Sequence, residues 1–118
     1  MMEQLEAAVG EPDARIIVRT PSAIAELVGP LPLRDGEWLT IGAEGQPHVH
    51  VRAADVRALR LSAPDDGNVA LEAVGGDGAR ILRVAFVRTN PARPDCDHDR
   101  RARLIARFGD GGGVWRGA

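Results

Sequence analysis

The segment His48-Val49-His50-Val51-Arg52 has the residue types and the spacing best suited to chemistry in this chain. Its strict alternation of polar and apolar residues predicts a β-strand, in which successive side chains point to opposite faces. His48, His50 and Arg52 would share one face, with about 7 Å between alternate side chains. Imidazole binds iron, zinc or copper, and a guanidinium pairs with carboxylates, so the three side chains could meet one ligand together. The alternative is a solvated face, which antiparallel sheets often have.

A metal site built on two histidines needs a third ligand. The other histidine, His98, lies at the mixed-charge start of a predicted helix and is expected to face solvent. The pattern Gly-x5-His-x-His-x4-Asp over residues 42–55 resembles the first metal motif of the cupins, a β-barrel family. That resemblance implies a small metal-dependent enzyme in which His48, His50 and Asp55 form a facial triad. The strands predicted later in the chain hold no histidine to complete the usual cupin site.

Other catalytic signatures are absent, which favours a protein without catalytic machinery of its own. Ser22 and Ser62 are the only serines, and neither lies in a Gly-x-Ser-x-Gly elbow. The glycine-rich segment 75–78 opens no predicted helix, so it does not form a phosphate-binding loop. The single cysteine, Cys96, cannot form a disulfide within the chain.

Composition limits the class of protein further. The chain has 118 residues and a formal charge of -2, and its 15 basic residues are all arginine. Such a length fits one domain, and the near-neutral charge argues against a nucleic-acid-binding module. No apolar run approaches the ~18 residues of a membrane span, and the acidic N-terminus lacks the apolar core of a signal peptide. We therefore expect a cytoplasmic protein without nucleic-acid or membrane partners.

Apolar periodicity and turn residues predict the order of the elements. Helical spacing predicts a helix over residues 2–9, and a β-branched run over 16–18 predicts a strand. Thr20-Pro21 then predicts the start of a two-turn helix with its apolar stripe at residues 24–28. Strands are expected over 37–41, 48–52, 69–74 and 79–87, a bend or short helical turn over 53–55, and a last helix over 97–108.

The elements together predict an α+β domain over residues 1–109. Its sheet is largely antiparallel, with flanking helices in the N-terminal part and at the C-terminus. The last two strands form a hairpin around a glycine-rich turn. Residues 56–61 fit either a helix or a strand, and residues 110–118 are expected to form a flexible C-terminal tail.

The succession of segments along the chain resembles the bacterial haem-utilisation carrier family of the HemS, ChuX and HutX type. The segments that carry the resemblance are 14–20, 26–30, 36–41, 49–53, 71–81 and 90–108. The resemblance covers roughly residues 13–109. It implies a single-repeat protein that holds haem non-covalently between helices and sheet, passes it to storage or degradation, and forms a homodimer.

The resemblance also implies roles for individual residues. His50 and Arg52 match the histidine and arginine of the family's strand segment written His-Leu-Arg or His-Ile-Arg. Arg19 stands where relatives place an iron-binding histidine; arginine stays protonated and cannot bind iron, but it can pair with a haem propionate. The implied site is therefore an axial bond from His50 with propionates paired by Arg19 or Arg52. Because Arg19 replaces that histidine, an alternative interpretation is a relative of the family that kept the fold and lost haem ligation.

Overall fold

The structure, a computed structural model, describes residues 2–109 and the backbone of residues 114–116. The elements run in the order α1 (Met2–Val9), β1 (Ala14–Thr20), β2 (Ala23–Val28), β3 (Leu33–Arg34), β4 (Trp38–Ile41), β5 (Val49–Arg52), a 3-10 turn (Ala53–Asp55), β6 (Ala58–Ser62), β7 (Ala70–Val74), β8 (Arg80–Phe86), α2 (His98–Phe108) and β9 (Val114–Arg116). The predicted α+β class, with antiparallel strands and a helix near each end, is confirmed.

The strands form two antiparallel sheets. The larger sheet has six strands in the order β2-β1-β8-β7-β6-β9, and the smaller has three in the order β3-β4-β5. Side chains alternate between the faces of a strand, so each sheet turns one face to the core and one outward. In β1, for example, Ala14 and Ile16 are buried while Arg19 is exposed.

One hydrophobic core joins both sheets and both helices. It contains Leu5 and Val9 of α1, Ile16, Leu59, Leu71, Leu82, Val84 and Phe86 of the larger sheet, Leu39, Ile41 and Val51 of the smaller sheet, and Leu104 and Phe108 of α2. The rings of Phe86 and Phe108 stack with their centroids 5.6 Å apart. Burying such side chains stabilises the fold by roughly 1.5–3 kcal/mol each, so the two aromatic rings anchor α2 on the sheet.

The predicted helix over residues 24–28 is wrong, because this segment is the strand β2. It forms a hairpin with β1, in which Arg19 lies opposite Ile24 and Thr20 opposite Ala23. An isolated two-turn helix is marginal in water, whereas β2 gains a full ladder of hydrogen bonds along β1. The β-branched Ile24 and Val28 also suit a strand.

The other elements follow their predictions closely, apart from three strands. The short strand β3 lies in the segment 29–36, which the prolines and glycine predict to be a loop, and it pairs with β4. The ambiguous segment 56–61 forms most of β6, which pairs with β7. The hairpin of β7 and β8 turns through Gly78 at a φ of 79°. Within the expected tail, Val114–Arg116 pair with β6 as β9, and the remainder of residues 110–118 lies outside the described part of the chain. No helix among the described residues is long and apolar enough to cross a bilayer.

Candidate functional site

The outward face of the smaller sheet gathers the polar residues singled out by their spacing. In the pairing of β4 with β5, Trp38 lies opposite Arg52 and Thr40 opposite His50. In the pairing of β3 with β4, Arg34 lies opposite Thr40. Residues directly opposite one another share a face, so these five side chains form one surface, which we call the His50 face. The predicted alternation holds, since Val51 is buried and His50 and Arg52 are exposed.

The register of β4 and β5 depends on the glycine at the end of β4. Ile41 pairs with Val49, which brings Gly42 beside His48. Gly42 has a φ of +123°, and a Cβ there would lie 2.7 Å from the Cβ of His48 and from the carbonyl oxygen of Pro47. Only glycine fits such a position without strain. The spacing between Gly42 and His48 in the cupin-like pattern is thus accounted for by backbone packing.

His50 is oriented by a hydrogen bond to the neighbouring strand. Its Nδ1 lies 3.0 Å from Oγ1 of Thr40, and Thr40 is itself 8% exposed. When Nδ1–H donates to the hydroxyl oxygen, Nε2 keeps its lone pair and points away from the strand that holds the ring. A partner on the second ring nitrogen is the usual feature that fixes the tautomer of a metal-binding histidine.

His48 lies against His50 and has a similar partner. Its Nδ1 is 2.7 Å from the carbonyl oxygen of Gln46. A carbonyl only accepts, so Nδ1 carries the proton and the lone pair of the neutral ring is on Nε2. The two imidazole rings meet edge to face with centroids 4.8 Å apart. The structure therefore brings the two predicted histidines together and leaves an Nε2 lone pair on His48.

The other end of the His50 face carries an aromatic ring and a guanidinium. Trp38 is 45% exposed. The guanidinium carbon of Arg52 lies 4.5 Å from the centroid of the Trp38 ring, a cation–π contact that holds both side chains over the sheet. Arg52 also lies 3.9 Å from the carboxylate of Asp55. The predicted position of Arg52 on the same face as His50 is confirmed, and its guanidinium contacts both the Trp38 ring and the Asp55 carboxylate.

The third ligand of a cupin-like centre does not join the two histidines. Asp55 lies against Arg52. His98 is exposed, as expected, with its Nδ1 3.8 Å from Sγ of Cys96. Among the described residues, no three His, Cys, Asp or Glu side chains converge on a point where they could hold a metal ion.

Arg19 lies in the other sheet. It is exposed near the end of β1, where it lines a groove with Thr20 and Arg80. His50 belongs to β5 in the smaller sheet, so the two residues that were expected to serve one ligand lie on different sheets. Arg52, on the same strand as His50, remains beside it.

The larger sheet contains a buried carboxylate that the sequence analysis does not predict. Glu72 of β7 is 5% exposed and accepts hydrogen bonds from Arg60, Arg80 and Arg83 at 2.7–3.3 Å. Burial raises the pKa of Glu72, but the hydrogen bonds and charges of Arg80 and Arg60 outweigh it, and the pKa lies below its ordinary value. A lone glutamate inside an apolar strand, with arginines in both neighbouring strands, is the signal that indicates this cluster.

No protein-family model matches this chain, and neither does any curated protein.

Proposed function

We propose that this protein binds haem, or a related iron tetrapyrrole, non-covalently on the His50 face and acts as a carrier. The observation that carries the proposal is the contact between Nδ1 of His50 and Oγ1 of Thr40. With Nδ1–H as the donor in this contact, an exposed imidazole is oriented so that its Nε2 can bond to the axial position of an iron. Imidazole is a common axial ligand of haem iron.

The rest of the His50 face supplies the two other kinds of contact that the ligand needs. Trp38 presents an exposed aromatic ring, which suits the apolar macrocycle. Arg52 follows His50 by two positions, about 7 Å along the strand, and Arg34 lies two strands away, roughly 10 Å across the sheet. Both guanidiniums can pair with carboxylates, so we assign propionate pairing to Arg52 and Arg34 and leave Arg19 out of this site.

We also propose that the protein forms a homodimer along β2. This six-residue strand is an edge of the larger sheet, and its outward-facing Ile24 and Val28 are 59% and 49% exposed. An edge strand with unpaired backbone groups and apolar side chains is a template for pairing with a second chain. Pairing of β2 with its copy would cover both side chains and leave the His50 face open.

A hemin titration tests the ligand assignment. The Soret band of hemin should shift and saturate with the wild-type protein, and the shift should be lost in His50→Ala. His48→Ala is the matched control, because it removes the adjacent imidazole and leaves the Thr40 contact in place; it should bind as the wild type does. A featureless wild-type titration, or an unchanged His50→Ala, would overturn the proposal in favour of a protein that has lost haem ligation.

Sedimentation velocity tests the homodimer. Ile24→Lys combined with Val28→Lys should convert a dimer into a monomer, since charges on an edge strand oppose pairing. Ala102→Lys combined with Ala106→Lys adds the same charge to exposed positions of α2 and should leave the dimer intact. A wild-type monomer at high concentration, or a dimer that survives the β2 substitutions, contradicts this interface.

A further inference from the structure

The outward face of the larger sheet has a groove where β1 ends and β8 begins. Its volume is about 410 Å³. It is lined by Ile17, Arg19, Thr20, Pro21, Arg80 and Ile81. Sites for small molecules commonly span about 300–1,000 Å³ and combine apolar walls with a few converging polar groups. This groove has that composition and lies apart from the His50 face, which belongs to the smaller sheet.

The polar side chains of the groove are hydrogen-bond donors. Arg19 forms no hydrogen bond or ion pair with another described residue. The hydroxyl oxygen of Thr20 accepts from the backbone N–H of Ser22 at 3.3 Å, which leaves its O–H to donate. Arg80 donates one Nη1–H to Glu72 at 2.7 Å, so its guanidinium is oriented while its remaining N–H groups stay available.

The charges around the groove are not balanced by carboxylates. One carboxylate, that of Glu72, serves the three guanidiniums of Arg60, Arg80 and Arg83. Arg19 adds a further positive charge at the same end of the sheet. Glu26 lies opposite Ile17 on this face but does not line the groove. A chain with a net charge of -2 thus concentrates positive charge here.

Three other grooves among residues 2–109 differ from this one in the charges of the residues that line them. One shares Arg80 and Ile81 with the first but is also lined by Asp55 and Asp77. The groove beside Arg88 and Arg93 includes Asp95, and the groove beside Arg100 and Arg103 includes Asp97 and Asp99. Each of these three mixes both signs of charge, whereas the groove at Arg19 pairs two guanidiniums and a hydroxyl with aliphatic walls.

We propose that the groove at Arg19 and Arg80 binds a small organic anion, in which a phosphate or carboxylate group is attached to a compact apolar body. The two guanidiniums would receive the anionic group, since guanidinium recognises both phosphate and carboxylate through paired N–H donors. Ile17, Pro21 and Ile81 would contact the apolar part. The site is independent of haem binding.

Calorimetric titrations of the full chain at low ionic strength test this site. The probes are phenyl phosphate, benzoate, inorganic phosphate and, as the uncharged counterpart, benzyl alcohol. We expect saturable binding of phenyl phosphate or benzoate, weaker binding of inorganic phosphate, and none of benzyl alcohol. The stronger of the two aromatic anions identifies the anionic group that the groove prefers.

Arg19→Gln is the decisive variant, because Arg19 forms no hydrogen bond or ion pair with another described residue and its replacement should leave the fold in place. It should weaken binding of the aromatic anion about tenfold or more, as expected for a lost charge-assisted hydrogen bond. Arg107→Gln removes the same charge from an exposed position of α2 and should bind like the wild type. No binding of either aromatic anion, or equal binding by Arg19→Gln and the wild type, overturns the proposal. Unchanged anion binding in His50→Ala supports a site separate from the His50 face, and loss of binding in that variant refutes it.

Discussion

Replacing Glu72 with glutamine removes the one negative charge from a cluster of three arginines and keeps the shape of the side chain. The carboxylate of Glu72 accepts from Nε and Nη2 of Arg60, from Nη1 of Arg80 and from Nη1 of Arg83. After Glu72→Gln the amide oxygen can satisfy part of this set, but its NH2 group faces guanidiniums that also donate. The positive charges are then left without a counter-charge.

The expected loss of stability follows from how far each group is buried. Breaking a fully buried ion pair by removing one partner costs about 3–5 kcal/mol. Here only the glutamate is enclosed; the side chains of Arg60, Arg80 and Arg83 are 45%, 35% and 26% exposed. Water can solvate the released guanidiniums, which reduces the penalty. We therefore expect Glu72→Gln to lower the free energy of unfolding by about 2 kcal/mol at pH 7.

The effect should depend on pH in a defined direction. The pKa of Glu72 in the folded protein lies below its ordinary value, so the ionised carboxylate adds stability at every pH above the unfolded pKa of about 4.3. That contribution declines as the pH falls through the lower, folded pKa. The difference between the wild type and Glu72→Gln should thus be constant from pH 7 down to about pH 5 and then shrink toward zero in acid.

Urea unfolding of both proteins between pH 3 and pH 7 measures this difference. Glu26→Gln is the control, since it removes a carboxylate that is exposed on the same sheet face and has no hydrogen-bond partner among the described residues. It should change stability by less than about 0.5 kcal/mol. A Glu72→Gln protein as stable as the wild type at pH 7, or a difference that persists undiminished at pH 3, would refute the account of this cluster.

The contacts of Thr40, Gly42 and Phe108 can each be tested by substitution. Thr40→Val removes the partner of His50 Nδ1 while keeping the volume of the side chain, so hemin affinity should fall about tenfold or more in a Soret titration. Unchanged affinity would mean that hemin binding does not depend on this hydrogen bond. Gly42→Ala should destabilise the protein by about 2 kcal/mol or more in urea unfolding, because the new Cβ would lie 2.7 Å from atoms of His48 and Pro47. Gly45→Ala is the control: Gly45 has a φ of +76° but open space around it, so the substitution should cost only about 1 kcal/mol. Equal losses of stability in the two variants would contradict the packing argument. Phe108→Ala should lower the unfolding free energy by about 3–5 kcal/mol, since the ring is fully buried against Phe86, and a loss below about 1 kcal/mol would mean that α2 is not anchored there.

Local signals in the sequence are sufficient to predict those elements for which the apolar periodicity and the turn residues indicate the same type and bounds. The alternation around Val49 and Val51 and the glycine-rich turn before Ala79 both predict what the structure shows. The helix predicted over residues 24–28 is wrong because the few apolar residues of this segment also fit a helical stripe. The interaction that decides its structure is pairing with β1, which local periodicity does not reveal. Strand pairing is a tertiary property, so a short amphipathic pattern cannot exclude it.

The candidate site was predictable only in part for the same reason. The shared face of His50 and Arg52 follows from their spacing on one strand. The partners Thr40 and Trp38 come from another strand, and their positions depend on a register that Gly42 helps to set. The separation of Arg19 from His50 depends on the division of the strands between two sheets, which no local pattern expresses.

The two borders of the larger sheet differ in length, and the difference bears on how copies of the chain can associate. β2 offers six residues of open backbone, whereas β9 at the opposite border has three. A very short outer strand offers too little backbone for stable addition of another chain. If two copies associate through β2, as proposed above, the longer edge of each copy is used and only short edge strands remain among the described residues, so growth would stop at two molecules and would not continue into a fibre.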